Sequence, residues 1–262
     1  MSVYDAKSTA EALWRTWIEG GVIVQLPPSR RPVTMEQAQA AQLHFPEVAN
    51  SPICGWKIAA TSEGGQNHIG VSGPLEGPYL ACKTHDTGVS LSMNGNRMAV
   101  AEAEFAFVLG SDIAARQHPY SWDEIADSVQ SLRPSLELPD SRFSDFKAVG
   151  EINLLADCAC ARDCVLGEPT DLNWMNIDLN DSPVQLLIDG KVVTQGSGAD
   201  ALGDPRTALV WLVNRLSARG VSLLSGQFIT TGVCGKPMPI VPNSHVVADL
   251  GRFGTAEAYL TD

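Results

Sequence analysis

Positive charge is scarce in this chain: 18 Lys and Arg stand against 30 Asp and Glu, a formal net charge of −12. That deficit argues against a nucleic-acid partner, because phosphate binding needs clustered Lys and Arg. Aromatic residues make up only 6% of the chain, so aliphatic and Ala side chains must do most of the packing. No apolar run approaches the roughly 18 residues that a bilayer span needs. The segment from Met1 to Glu19 lacks both a basic start and an apolar stretch, so no secretory signal is expected and the chain reads as cytoplasmic. Cys54, Cys82, Cys158, Cys160, Cys164 and Cys234 are then expected as reduced thiols, not disulfides. Cys158-x-Cys160-x₃-Cys164 lacks a fitting fourth ligand for structural zinc. Gly196-Ser-Gly-Ala-Asp-Ala201 fits a dinucleotide fingerprint only formally: it follows a hairpin, and no acid appears about 20 residues on. The five histidines show no ligand spacing.

Among what is present, helical and strand periodicities separate along the chain. Ala6, Ala10, Leu13, Trp14, Trp17 and Ile18 recur at helical spacing up to Gly20-Gly21. A second helix is expected after Thr34, whose hydroxyl can cap it with Gln37 three residues on, running to about His44. From Ile53 onward short strands and Gly/Pro turns take over. Cys54 to Thr61 reads as a strand ended by a Gly64-Gly65 break, Val89 to Met93 as a strand turning at Asn94-Gly95, and Met98 to Leu109 as the strongest strand. Trp122 to Ser131 looks helical, and Pro134 to Pro139 brackets a buried strand. Val184–Ile188 and Lys191–Thr194 form a hairpin around Asp189-Gly190. Residues 205–219 form a helix with Pro205 near its start and Gly220 at its stop. The tail from Phe228 reads as β. The expected fold class is α+β, with an N-terminal α+β part over residues 1–80 and a β-rich core over 81–262, or one continuous domain.

The segment Met98-Ala-Val-Ala-Glu-Ala-Glu-Phe-Ala-Phe-Val-Leu109 carries the functional signal. Strand side chains alternate, so Glu102 and Glu104 share one face while Ala101, Ala103, Phe105, Phe107 and Leu109 form the other. No Lys or Arg lies between Met98 and Gly110 to neutralise the pair. Two partly buried carboxylates repel and resist desolvation; either the strand is an edge with wet glutamates, or a hard divalent cation, Mg²⁺ or Mn²⁺, binds there. Glu137, between Leu136 and Leu138, is a third acid in an apolar strand, where a lone charge is expensive.

Six short motifs occur in one order: Gly-Trp-Lys57-Ile-Ala-Ala-Thr, the Ala-Glu-Ala-Glu strand, Leu-Glu-Leu-Pro-Asp-Ser-Arg142, Gly196 to Pro205, Ala208-Leu-Val-Trp-Leu212, and Ser225-Gly-Gln-Phe-Ile-Thr-Thr-Gly232. From about Ala38 to the C-terminus the chain resembles the 2-oxopent-4-enoate hydratase and 4-oxalocrotonate decarboxylase branch of the fumarylacetoacetate hydrolase superfamily. The resemblance implies a helical N-terminal part and a mixed-sheet β-roll core. It implies a role in aromatic-compound catabolism, a homo-oligomer, and a possible complex with a homologous enzyme. Glu102, Glu104 and Glu137 match the family's metal ligands. Lys57 matches its active-site lysine, a proton shuttle or carboxylate anchor whose desolvation would bring its pKa toward neutral. Gln66, Arg142, Cys158, Cys160, Thr231 and Gly232 are candidate substrate contacts. Arg142 has an alternative partner in Asp140, and His68 and His85 flank the loop from Gly70 to Gly77 and are further candidates to touch substrate.

The chain also departs from that pattern. Where the family carries an acid in a Gly-Val-x-x-Pro-Asp-x-Gly loop, this chain reads Gly70-Val-Ser-Gly-Pro-Leu-Glu-Gly77, which leaves Leu75 in the acid's place and Glu76 as its candidate substitute. Ala-Asp-Asn-Ala-Ser becomes Ala156-Asp-Cys-Ala-Cys160, and a Gly-Asp turn becomes Asn243-Ser244. The expected activity is a metal-dependent lyase on a small 2-oxo or 2-hydroxydienoic acid, a hydratase ahead of a decarboxylase. Alternatives are a C–C hydrolase, an oxo-acid tautomerase, or a catalytically lapsed partner subunit.

Overall fold

In the computed structural model of the chain, which describes residues 4–262, the Asp5 carboxylate accepts from the Lys7 and Ser8 N–H groups and so opens helix α1 (Ala6–Ile18). Thr34 caps α2 (Met35–Gln42) through the Gln37 N–H, as the Thr34 spacing predicts, and α3 (Phe45–Ala49) follows. Strand β1 (Ile53–Ala59) comes next. The Gly64-Gly65 pair, expected as a break, lies instead inside α4 (Glu63–Ile69), because Ser62 accepts from the Gly65 N–H and Gly70 ends the helix at a positive φ.

The chain continues through β2 (Leu75–Leu80), β3 (Thr84–Asp86), β4 (Val89–Ser92) and β5 (Val100–Leu109). The expected turn at Asn94-Gly95 does not make a hairpin. β4 pairs in parallel with β13 (Thr255–Thr261) in another sheet, and the Asp140 carboxylate takes the Arg97 and Met98 N–H groups and steers the chain away. Helix α5 (Trp122–Ala126) has a capping box at Ser121 and Glu124 but stops after one turn. From Val129 the chain is strand β6 (Val129–Leu138), since Leu132 and Ser131 pair with Phe107 and Val108; the sheet overrides the local helical pattern. Beyond α6 (Glu151–Ala156) and β7 (Asp163–Leu166), the hairpin β8 (Pro183–Ile188) and β9 (Lys191–Ser197) and the helix α7 (Pro205–Ser217) fall where their turn and stop residues place them. Strands β10 (Phe228–Thr230), β11 (Met238–Pro239) and β12 (His245–Asp249) precede β13.

Eight strands form one sheet in the order β2-β1-β10-β5-β6-β7-β3 with β11 on β5; the other sheet runs β4-β13-β12-β8-β9. The first sheet thus interleaves strands from before and after residue 80. Ala101, Ala103, Phe105, Phe107 and Leu109 pack against Val246, Ala248, Ala256 and Ala258 of the second sheet and against Leu209 and Leu212 of α7. Each large apolar side chain buried there contributes about 1.5–3 kcal/mol. The opposite face of the first sheet meets a second core formed by Leu13, Ala38, Ala41, Phe45, Leu154 and Leu155. The functional face is thereby enclosed between sheet and helical layer. The fold is α+β with two curled sheets, and no helix among the described residues is long and apolar enough to cross a membrane.

Candidate metal centre

Register brings the acids together. β5 and β6 are antiparallel with Glu102 opposite Glu137 and Glu104 opposite Ser135, so the three Glu side chains emerge on the same face. One carboxylate oxygen from each lies within 4.8 Å of the others. Glu104 and Glu137 are fully buried and Glu102 partly so. Lys57, from β1, is also buried and forms an ion pair with Glu137. Among the described residues it is the one cation acting on Glu102 and Glu104.

The electrostatics follow from this crowding. Burial, then the Glu137 charge, pushes the Glu102 carboxyl up to about 7, with Lys57 opposing. Burial and the charges of Glu137 and Glu102 push Glu104 well above the carboxylate range. For Lys57 the sequence expectation needs correction. Burial alone would lower its pKa, but Glu137, Glu102 and Glu104 outweigh it, and the ammonium is held above its ordinary value.

Several donor atoms are left over. Glu104 Oε2 accepts from the Gly232 N–H at 2.9 Å, but Glu104 Oε1 has no hydrogen-bond partner, and neither Glu137 oxygen has one beyond the Lys57 ammonium. Buried acceptors are normally satisfied. With all three ionised, as cation binding requires, one ammonium leaves two negative charges in excess, and the unpartnered atoms are all oxygen. That donor set fits a hard divalent cation.

The remaining candidates divide. Glu76 is corrected: it lies opposite Ile58, while Gly77 lies opposite Lys57, so alternation turns it to the other face of the sheet. There it is fully buried against Arg219 at 2.7 Å, Arg215 at 3.1 Å and Gln39 at 2.8 Å. It ties α2, β2 and α7 together and does not reach Lys57. Leu75, opposite Ala59, faces the Lys57 side and is buried. Arg142 is corrected as a substrate contact. It pairs with Asp157 at 3.3 Å, donates to the Asp140, Asp157 and Ala161 carbonyls, and lies over the Trp17 ring. The carboxylate of Asp140 pairs with Arg162 instead.

Thr231 and Gly232 flank the centre: Thr231 Oγ1 donates to the Phe105 carbonyl, and a Cβ on Gly232 would fall 2.4 Å from the Thr61 side chain. Gln66 donates to the Ala60 carbonyl at 3.2 Å, three residues beyond Lys57. Cys158, Ala159 and Cys160 are buried with φ of 55°, 50° and 64°, a left-handed run that L-residues rarely sustain. The Cys158 carbonyl packs over Gly77, where a Cβ would lie 1.9 Å away, so the run presses against the strand pair that carries Lys57. Burial, then Asp157, pushes the Cys160 thiol up to about 12, and it stays neutral. All six cysteines are free thiols. His68 rests near Phe146 and His85 pairs with Asp163 at 2.9 Å. Sequence reasoning passed over Tyr79, Thr230 and Asp157; the first two read as ordinary strand residues, and only their unpartnered buried hydroxyls single them out.

No protein-family model matches the chain. The chain is 30% identical over 210 residues to a 2-keto-4-pentenoate hydratase of Burkholderia vietnamiensis, covering 80% of this chain and 79% of the relative. It is 27% identical over 258 residues to a 2-keto-4-pentenoate hydratase of Paraburkholderia xenovorans, covering 97% and 94%. In fold it is similar to a 4-oxalocrotonate decarboxylase from Pseudomonas putida G7 complexed with magnesium and adipate, with a TM-score of 0.86 at 23% identity over 97% of each chain.

Proposed function

The chain belongs to the hydratase and decarboxylase branch of the fumarylacetoacetate hydrolase superfamily, and from that premise we propose that it is a divalent-metal-dependent hydro-lyase that hydrates a small 2-hydroxy-2,4-dienoate. The observation that carries this reading is the enclosed trio Glu102, Glu104 and Glu137, with unpartnered oxygens and Lys57 alone opposing their charge. These carboxylates would hold Mg²⁺ or Mn²⁺. When bound, such a cation would supply Lewis acidity toward the electron-rich oxygens of a 2-oxo acid.

The side chains supply the rest. Hydration needs one proton moved from the enol oxygen to C5 of the diene, which leaves a C3–C4 double bond conjugated to the keto group; water oxygen then adds at C4 and the proton it loses is delivered to C3. Lys57, charged and shielded by Trp56 and Ile58, carries protons at its Nζ. Leu75 places no acid beside it, so both transfers fall to that nitrogen and to water. The Gly232 N–H and Thr231 hold Glu104 and its strand in place. The left-handed turn at residues 158–160 closes the wall behind Gly77 and excludes water.

Hydration is favoured over decarboxylation of a dicarboxylate by Arg142, whose donors are spent on Asp157 and three carbonyls and so offer no anchor to a second carboxylate. With Mg²⁺ supplied, a monocarboxylic 2-hydroxydienoate should lose its ultraviolet band without CO₂ release. CO₂ release from a 2-oxo-enedioate at an equal or greater kcat/KM would replace the hydratase reading with a decarboxylase, and silence in both assays would leave the lapsed partner subunit.

A further inference from the structure

Beside Glu104 lie two buried hydroxyls, of Tyr79 and Thr230, that the proposed chemistry does not use. Gly55 has no side chain, and a Cβ there would fall 2.5 Å from the Phe228 ring, so Phe228 lies over β1. Tyr79, opposite Gly55 on β2, stacks on that ring with centroids 5.5 Å apart and planes at 22°. The stack aims the Tyr79 phenol toward Thr230, two residues beyond Phe228 on β10 and opposite Ala106 of β5. Ala106 and Glu104 share a face of β5, so the Thr230 hydroxyl stands beside the Glu104 carboxylate and close to the Tyr79 phenol, although it forms no hydrogen bond to either in this structure. Tyr79 and Thr230 are almost wholly buried, and Tyr79 Oη, Thr230 Oγ1 and Glu104 Oε1 all lack a settled hydrogen-bond partner. An orphaned hydroxyl in an apolar core is destabilising, so three neighbours in that state call for a function.

We propose that Thr230 and Tyr79 are positioning residues for Glu104: the Thr230 hydroxyl donates to the carboxylate, and the Tyr79 hydroxyl donates to Thr230. The Gly232 N–H holds Glu104 from one side only, which leaves the carboxylate free to rotate about its last bond; a second donor fixes its plane. The direction of donation is set by chemistry, since a carboxylate that holds a cation is ionised and only accepts, and each hydroxyl has one proton to give. A ligand carboxylate held this way keeps its affinity for the cation, and loss of such an outer partner typically weakens metal binding about 10–100-fold. The inference rests on the metal centre of the proposed function.

The test is Mg²⁺ binding by calorimetry, with the metal-induced rise in melting temperature as a second readout, on wild type, Tyr79→Phe, Thr230→Val and Thr230→Ser. Phe keeps the stack on Phe228 and Val keeps the volume, so both variants should fold; without metal, Tyr79→Phe should melt at or above the wild-type temperature. The expected result is about tenfold weaker Mg²⁺ binding in Tyr79→Phe and Thr230→Val, with Thr230→Ser restoring it. Wild-type affinity within twofold in both variants overturns the positioning role and leaves the metal centre standing. Absence of Mg²⁺ binding in the wild type overturns both.

Discussion

Lys57→Met removes the one positive charge that acts on the three carboxylates while keeping most of the side chain's length. In the metal-free protein Glu137, itself fully buried, loses its ion-pair partner. Breaking a buried pair from one side costs about 3–5 kcal/mol. For a chain of this size each 1 kcal/mol is worth roughly 2–4 °C, so the metal-free variant should melt on the order of 10 °C below wild type. Metal binding should respond in the opposite sense. Without the competing ammonium the trio is more negative, so Mg²⁺ should bind at least as tightly as in wild type and recover much of the lost stability. Turnover should nevertheless collapse, because the proton carrier is gone; general acid–base groups are typically worth 10²–10⁴-fold. Thermal unfolding with and without Mg²⁺, beside the ultraviolet assay of the dienoate, reads all three quantities. A variant that binds Mg²⁺ tightly and still turns over within tenfold of wild type would refute the assignment of proton handling to Lys57. One that is as stable as wild type without metal would refute the electrostatic account of the site.

Three further outcomes are expected. Glu76→Gln should leave kcat within about threefold, because Glu76 faces away from Lys57, yet lower stability by about 2 kcal/mol or more, since Arg215 and Arg219 lose their counter-charge; chemical denaturation and steady-state kinetics separate the two. Mg²⁺ affinity should rise at least tenfold per pH unit below about 7, because the cation must displace a proton from Glu102, whose carboxyl sits near 7, and from Glu104, which burial and its acidic neighbours raise further; calorimetry at several pH values measures the slope, and a flat profile contradicts it. Asp157 is raised to about 6 by burial against the pull of Arg142 and Ser141. A raised acid contributes stability below its unfolded pKa near 3.8 and loses it as pH climbs through 6. The melting temperature of Asp157→Asn relative to wild type should therefore rise between pH 4 and pH 6.

The site was partly legible because it uses a short-range rule. Alternation alone puts Glu102 and Glu104 on one face of β5, and nothing in the intervening sequence neutralises them. Their meeting with Glu137 depends on strand register, which is a property of the pair β5–β6 and not of either segment. Glu76 shows the limit from the other side: adjacent to the place of the missing acid, it looked like a substitute, but a shift of one residue in a strand reverses the face. The Trp122–Ser131 helix failed for a related reason, since a stretch with helical pattern was captured by pairing with Phe107 and Val108.

What the amino-acid order determined unaided was local: the cap at Thr34, the hairpin at Asp189-Gly190, the helix from Pro205 to Ser217, and the two-faced character of β5. These depend on backbone geometry and side-chain period within a few residues, and they survive any global arrangement. The tertiary structure decided which charges stand alone. It assigned Arg142 to Asp157, turned Glu76 toward α7, sealed Lys57 among carboxylates that keep it charged, and left the hydroxyls of Tyr79 and Thr230 without partners. Those outcomes depend on distances between segments far apart in the chain and on how completely water is excluded, and neither quantity is written in the order of residues.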